Sequence, residues 1–146
     1  MEQDQLILQA EEGASLSSGA IRLYALPYGC VDLYNYDPLN RRAAVGIMVA
    51  TEYRRQGYAL AMLRVLETQY YTALHCLYAD IAVTNTASFS LFQKAGYTEC
   101  GHFKDWLNVT KVESRASSHT LQRCSNVTEG NVNDKYIDTI RVQKIL

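Results

Sequence analysis

Residues 42–66 read RAAVGIMVATEYRRQGYALAMLRVL, and the corner Arg54-Arg55-Gln56-Gly57-Tyr58-Ala59 at the centre decides how the chain folds. Before the corner, Ala43, Val45, Ile47 and Val49 fall on one face of an extended segment, and Ala44, Gly46 and Met48 on the other. Both faces are apolar, which is the pattern of a central, covered strand over 42–49. After the corner, Ala59, Leu63, Leu66, Tyr70 and Leu74 recur at helical spacing and predict an amphipathic helix over 58–75. A helix N-terminus leaves backbone N–H groups unpaired and carries about half a positive charge. Gly57 puts no side chain in the way of a ligand, and Arg54 and Arg55 add donors and charge. Strand, corner and helix together make a seat for a diphosphate. The plain alternative is a solvated turn with two surface arginines. A GxxxxGK loop followed by Ser or Thr is absent, and a dinucleotide fingerprint needs three spaced glycines where only Gly57 stands.

Outward from the corner, YGCVDLYNY (28–36) alternates and is rich in aromatics, as a half-buried strand should be. DPLN (37–40) reads as a turn that closes a hairpin onto 42–49. LYADIAV (77–83) reads as a strand. In NTASFSLFQKAG (85–96), Asn85 or Thr86 is a helix-capping type, Ala87, Leu91 and Ala95 share a face, and Gly96 stands where a helix stops. Strands are expected at 97–109 and 135–145, and a further one at 5–10 ahead of the loop EEGASLSSG. The segment 111–134 is polar and weakly patterned, and reads as a long loop or insertion. The whole is an α/β (α+β) domain spanning 1–146.

Composition agrees with a globular fold: of 146 residues, 48% are hydrophobic and 20% charged. The net charge of −1 favours neither nucleic acid nor an anionic membrane. AAVGIMVA is far too short to cross a bilayer. Eleven tyrosines suit strands and a half-open cleft. Cys30, Cys76, Cys100 and Cys124 show no CxxC spacing, which argues against a zinc ribbon or a redox motif, and no metal site is expected. They are read as reduced and mostly buried. The acidic start, MEQDQLILQ, lacks the basic-then-apolar pattern of a secretion signal, so a cytoplasmic location is the expectation.

The corner resembles the signature of the GNAT N-acetyltransferases, Q/R-x-x-G-x-G/A, matched by Arg54, Gly57 and Ala59. A downstream pattern of the bacterial branch that modifies ribosomal-protein amines and spermidine is matched by Asn85, Ser88, Leu91-Phe92, Lys94, Gly96 and Tyr97. The likeness covers roughly residues 28–109 and returns at the last strand. It implies a GNAT-like, mixed but mostly antiparallel twisted sheet flanked by helices. The family's usual N-terminal strand and two helices are expected to be missing, because the chain starts late relative to that pattern. The resemblance implies acetyl-CoA as cosubstrate and an amine acceptor: a polyamine, a protein N-terminus or a small amine. The pantetheine would pair with the backbone of Ile47, Met48 and Val49. The diphosphate would rest on the amides of Arg55, Gln56, Gly57, Tyr58, Ala59 and Leu60, beside Arg54. Asn85 would meet the pantetheine arm, Phe92 and Lys94 would lie along the cofactor, and Ser88 belongs to the same cofactor-binding set. For Asn85 a helix cap stands as the alternative, for Phe92 core packing, and for Lys94 a solvated side chain.

Two positions depart from the family's pattern. Many relatives place a tyrosine where Phe92 stands, to protonate the leaving thiolate, and a glutamate where Ala44 stands, near the amine. Asp32 and Asp105 are then the candidate bases, each with ordinary surface carboxylate as its alternative. Tyr34 and Tyr36 are candidates to line the cleft. A non-catalytic acetyl-CoA-binding module or an inactive, truncated form is the competing expectation. The cleft face left exposed by the missing helices is compatible with a homodimer.

Overall fold

Strand alternation sorts this chain's side chains onto two faces of one sheet, and only one of those faces is packed by helices. The computed structural model describes residues 6–111 and 133–146. In chain order it contains β1 (Gln9–Ala10), β2 (Ile21–Ala25), β3 (Gly29–Asp37), β4 (Arg42–Val49), α1 (Tyr58–Tyr70), β5 (Cys76–Ala82), α2 (Thr86–Lys94), β6 (Thr98–Asn108) and β7 (Tyr136–Ile145). Short 3-10 turns lie at Leu16–Ser18, Thr51–Tyr53 and Val109–Lys111. The sheet order is β1-β2-β3-β4-β5-β7-β6. Every neighbouring pair is antiparallel except β4 with β5, which are parallel and joined through α1.

On the packed face, Val31 and Leu33 of β3, Ala43 and Val45 of β4, and Leu77, Ala79 and Ile81 of β5 meet Met62, Leu63 and Leu66 of α1 and Phe92 of α2. The opposite face carries Arg22, Asp32, Tyr34, Tyr78 and Arg141 instead, and among the described residues no helix covers it. The expectation that β4 is covered on both sides is therefore corrected. Ala44 is 1% exposed, yet it lies outside the main core, between its register partners Tyr34 and Tyr78.

Other boundaries shift for local reasons. Helix α1 stops at Tyr70 rather than at 75. Arg41 holds the chain beyond it, donating to Ala73 O and Thr72 O, and Leu74 is buried from a loop. The strand expected over 5–10 shortens to Gln9–Ala10, and β2 at Ile21–Ala25 is a strand not among those expected from the sequence. Of the cysteines, Cys30 and Cys76 are half-buried and Cys100 is exposed, all three as free thiols. They are not mostly buried, because Cys30 and Cys76 alternate onto the face away from the helices and Cys100 stands at a register shift in edge strand β6. Cys124 and nearly all of the polar segment at 111–134 lie outside the described residues. No helix among those residues is long and apolar enough to cross a membrane.

Candidate functional site: a groove at the mouth of a helix

The parallel pair β4–β5 holds register at only three positions, Arg42 with Cys76, Ala43 with Leu77 and Ala44 with Tyr78. Beyond Ala44 the two strands splay. Backbone polarity alternates along a strand, so its direction past that point follows from two contacts. Ala50 N–H donates to Tyr28 O at 2.8 Å, and a side chain on Gly29 would collide with the Met48 carbonyl. Gly46 and Met48 therefore bond toward β3, and Ile47 and Val49 present their N–H and C=O groups to the splay. The sequence reading named all of 47–49 as a free edge; Met48 is corrected out of it by this alternation.

The splay opens into a groove of about 700 Å³. One wall is Ile47 and Val49 of β4, with Arg54, Arg55 and Gly57 of the corner and Tyr58, Ala59 and Leu60 of the first turn of α1. The other wall is α2, which contributes Ser88 and Lys94 from the expected set. The corner is built for an uncapped helix start. Gly57 is the N-cap at φ +85°, makes no side-chain cap, and follows Arg55 at φ +62°. The left-handed region suits glycine and strains other residues. The first-turn amides of α1 thus meet the groove without a side chain across them. Arg54 is partly committed elsewhere: its Nε donates to Val49 O at 3.0 Å and ties the corner to the end of β4. The Gln56 amide reaches back to Glu52 O and is not on the groove wall.

Beneath the corner, Tyr28 and Tyr58 stack with centroids 4.1 Å apart, and Tyr53 meets both edge-on at 5.0 and 5.7 Å. Such contacts add roughly 0.5–1.5 kcal/mol each beyond area burial, and here they hold the corner's backbone on the sheet.

The remaining expected residues fall elsewhere. Asn85 is the N-cap of α2, and its Oδ1 accepts from Ser88 N–H at 3.1 Å. Phe92 is 3% exposed, edge-on to Tyr97 at 4.9 Å, and belongs to the core; the expectation that it lies along the cofactor is corrected. Of the face expected to hold Ala87, Leu91 and Ala95, Ala95 is buried and Leu91 packs partly against the core, while Ala87 and Leu91 also line the groove with Ser90. Tyr53 also lines the groove and was missed, although an aromatic directly before the arginines was the available signal.

The two candidate bases separate. Asp32 is 5% exposed, and Arg22 grips both its oxygens, Nε to Oδ1 at 2.6 Å and the terminal nitrogen to Oδ2 at 2.8 Å. Hydrogen bonding to Asp32 raises the Arg22 pKa. Asp32 also lies on the sheet face away from the helices and does not line the groove. Asp105 is exposed on β6, at φ +51°, with its N–H on Asp138. Strands β5 and β7 stand between it and β4, so the fold does not bring it to the groove. No group of three or more His, Cys, Asp or Glu among the described residues is placed to hold a metal ion.

Comparison with known proteins follows this geometry. Residues 7–98 match the family model described as acetyltransferase (GNAT) domain. The chain is 30% identical over 76 residues to spermidine N(1)-acetyltransferase of Vibrio cholerae serotype O1, across 51% of this chain and 44% of that protein. It thus spans less than half the length of that curated relative. The solved spermidine N-acetyltransferase of Vibrio cholerae in complex with CoA and spermine has a TM-score of 0.64 at 20% identity, covering 88% of this chain and 67% of that one. The solved ribosomal L7/L12 alpha-N-protein acetyltransferase RimL in complex with coenzyme A gives 0.66 at 17%, covering 89% and 64%. At those identities the two structures speak for the fold. The matched stretch contains the splayed strand, the corner and the helix that together form the groove, and this chain belongs to the acetyltransferase (GNAT) domain family.

Proposed function

We propose that the chain binds acetyl-CoA in this groove and moves its acetyl group to a primary amine, as an N-acetyltransferase. The observation that carries the reading is the continuity of one groove from the uncapped mouth of α1 to the free edge of β4. Its two ends suit the two ends of the cosubstrate. Amides of Arg55 to Leu60 fit a diphosphate, and the N–H and C=O of Ile47 with the N–H of Val49, whose carbonyl Arg54 holds, fit the amide units of a pantetheine arm. Arg54, Arg55 and Lys94 add positive charge beside the diphosphate end, and Ser88 stands on the opposite wall.

The cosubstrate supplies an activated thioester: the amine lone pair forms the C–N bond, the C–S bond breaks with its electrons on sulfur, and the amine proton leaves to solvent. The protein's part is chiefly positioning, together with a backbone N–H at the splay to meet charge growing on the carbonyl oxygen. Ala44 and Phe92 offer neither base nor acid, and Asp32 is engaged by Arg22. The proton therefore passes to water. Three free thiols fit a reducing compartment, and a cytoplasmic location is part of this proposal.

A second reading, a non-catalytic acetyl-CoA-binding module, is favoured by that same lack of an acid and a base. The deciding experiment follows free CoA thiol with a panel of polyamines, peptide N-termini and small amines. Amine-dependent thiol release supports the transferase. Tight acetyl-CoA binding with no release across the panel selects the binding module.

A further inference from the structure

We propose that the uncovered sheet face at the splay selects an acceptor with a single amine over a polyamine, and that two self-neutralised ion pairs make the selection. The inference rests on the acetyl-transfer reading. Asp32 is the register partner of Gly46, two residues past the last paired position of β4. Asp80 lies two residues past Tyr78, the last paired position of β5. By alternation both carboxylates stand on the face away from the helices, on opposite sides of the opening. An acceptor approaching opposite the groove meets Asp80 on one side and, on the other, Arg22, with Asp32 enclosed beside it.

Neither carboxylate is free. Arg22 engages Asp32 with two hydrogen bonds, and Arg141 engages Asp80 at 2.7 and 3.0 Å. Arg141 is further fixed, its guanidinium carbon 4.5 Å over the Tyr78 ring and 5.0 Å over Phe103. Each side of the opening is thus a neutral pair. A second or third ammonium group would lose water there and gain no uncompensated anion.

The opening suits one amine on an uncharged body. The Tyr34 ring leans over Gly46, with Cε1 3.7 Å from where a Cβ on that glycine would lie. Burial first, and then the Asp80 carboxylate, raise the Tyr34 phenol above its ordinary pKa. It therefore stays protonated at neutral pH, and its oxygen can still accept an N–H. The Tyr34 and Tyr78 rings offer flat apolar surface to an alkyl or peptide body.

The test titrates two probes, Ala-Ala-Ala amide and spermidine, into protein saturated with CoA, so that binding is read without turnover. The tripeptide amide is expected to bind the more tightly. Tyr34→Phe should weaken it about fivefold, the worth of one hydrogen bond, with CoA affinity unchanged. Arg141→Gln, which frees Asp80, should tighten spermidine about fivefold, and Asp80→Asn should not. Asp80→Asn also serves as the folded control if Arg141→Gln is unstable. Wild-type protein that binds CoA but prefers spermidine, binds neither probe, or gives variants with unchanged affinities overturns this inference alone. Wild-type protein that fails to bind CoA overturns the acetyl-transfer reading with it.

Discussion

Arg22 and Asp32 are ten residues apart and make a charge contact in which Asp32 is almost fully enclosed. Removing one partner of such a pair leaves an uncompensated charge. Arg22→Ala should therefore cost about 3 kcal/mol in urea unfolding. The double change Arg22→Met with Asp32→Leu should recover most of that loss, since an apolar pair of similar volume is often no worse. Tyr97 poses the opposite case. Its hydroxyl lies beside Glu67 and interacts with that carboxylate without a well-aligned hydrogen bond, while Lys144 Nζ holds the other Glu67 oxygen at 2.9 Å and Ala95 O at 2.7 Å. Tyr97→Phe should change stability by less than about 1 kcal/mol, because the buried hydroxyl has no well-formed hydrogen bond to lose. Thermal melts of the variant check this.

Among the elements, α2 shows best what a sequence displays and what it hides. Asn85 is both a capping type and part of the family pattern, and only the 3.1 Å contact to Ser88 N–H assigns the cap. Asn85→Ala should cost about 1 kcal/mol of stability. Acetyl-CoA affinity should barely change, read by calorimetry on the same preparation; a large loss would make Asn85 a ligand as well. Strands β3, β4 and β5 and helix α1 were legible because their apolar periods are long, and α2 because Asn85 and Gly96 mark its ends. The inward side of α2 was not. Its stripe Ala87-Leu91-Ala95 and the alternative containing Phe92 differ by one residue of rotation, and the helix is turned by what it packs on, here Tyr97. The corner was legible because glycine and arginines are local signals. The ion pairs of the uncovered face were not, because each requires the register of two strands, Arg22 opposite Asp32 and Asp80 opposite Arg141.

At the scale of the whole molecule, one packed face and one face that no described helix covers give the chain its stability on one side and its proposed chemistry on the other. Buried phenols make stability fall at high pH. Burial raises the Tyr97 phenol far above its ordinary pKa, with the Glu67 charge adding to it, and burial also raises Tyr34 and Tyr70. Unfolded phenols lose their protons near pH 10. The folded chain keeps protons that the unfolded chain releases, so stability is intact below about pH 10 and declines above it. The melting temperature measured from pH 8 to 11 should show this decline, and Tyr97→Phe should blunt it. The groove between β4, the corner and α2 is the feature on which the functional account stands. Gly57→Glu places a strained, negatively charged side chain at φ +85°, across the amides that would meet a diphosphate. The most direct measurement is a calorimetric titration of acetyl-CoA into the wild type and Gly57→Glu, with circular dichroism establishing that both are folded. The account predicts saturable one-to-one binding by the wild type and none by the variant; equal affinity in the folded variant, or no binding by the wild type, would contradict it.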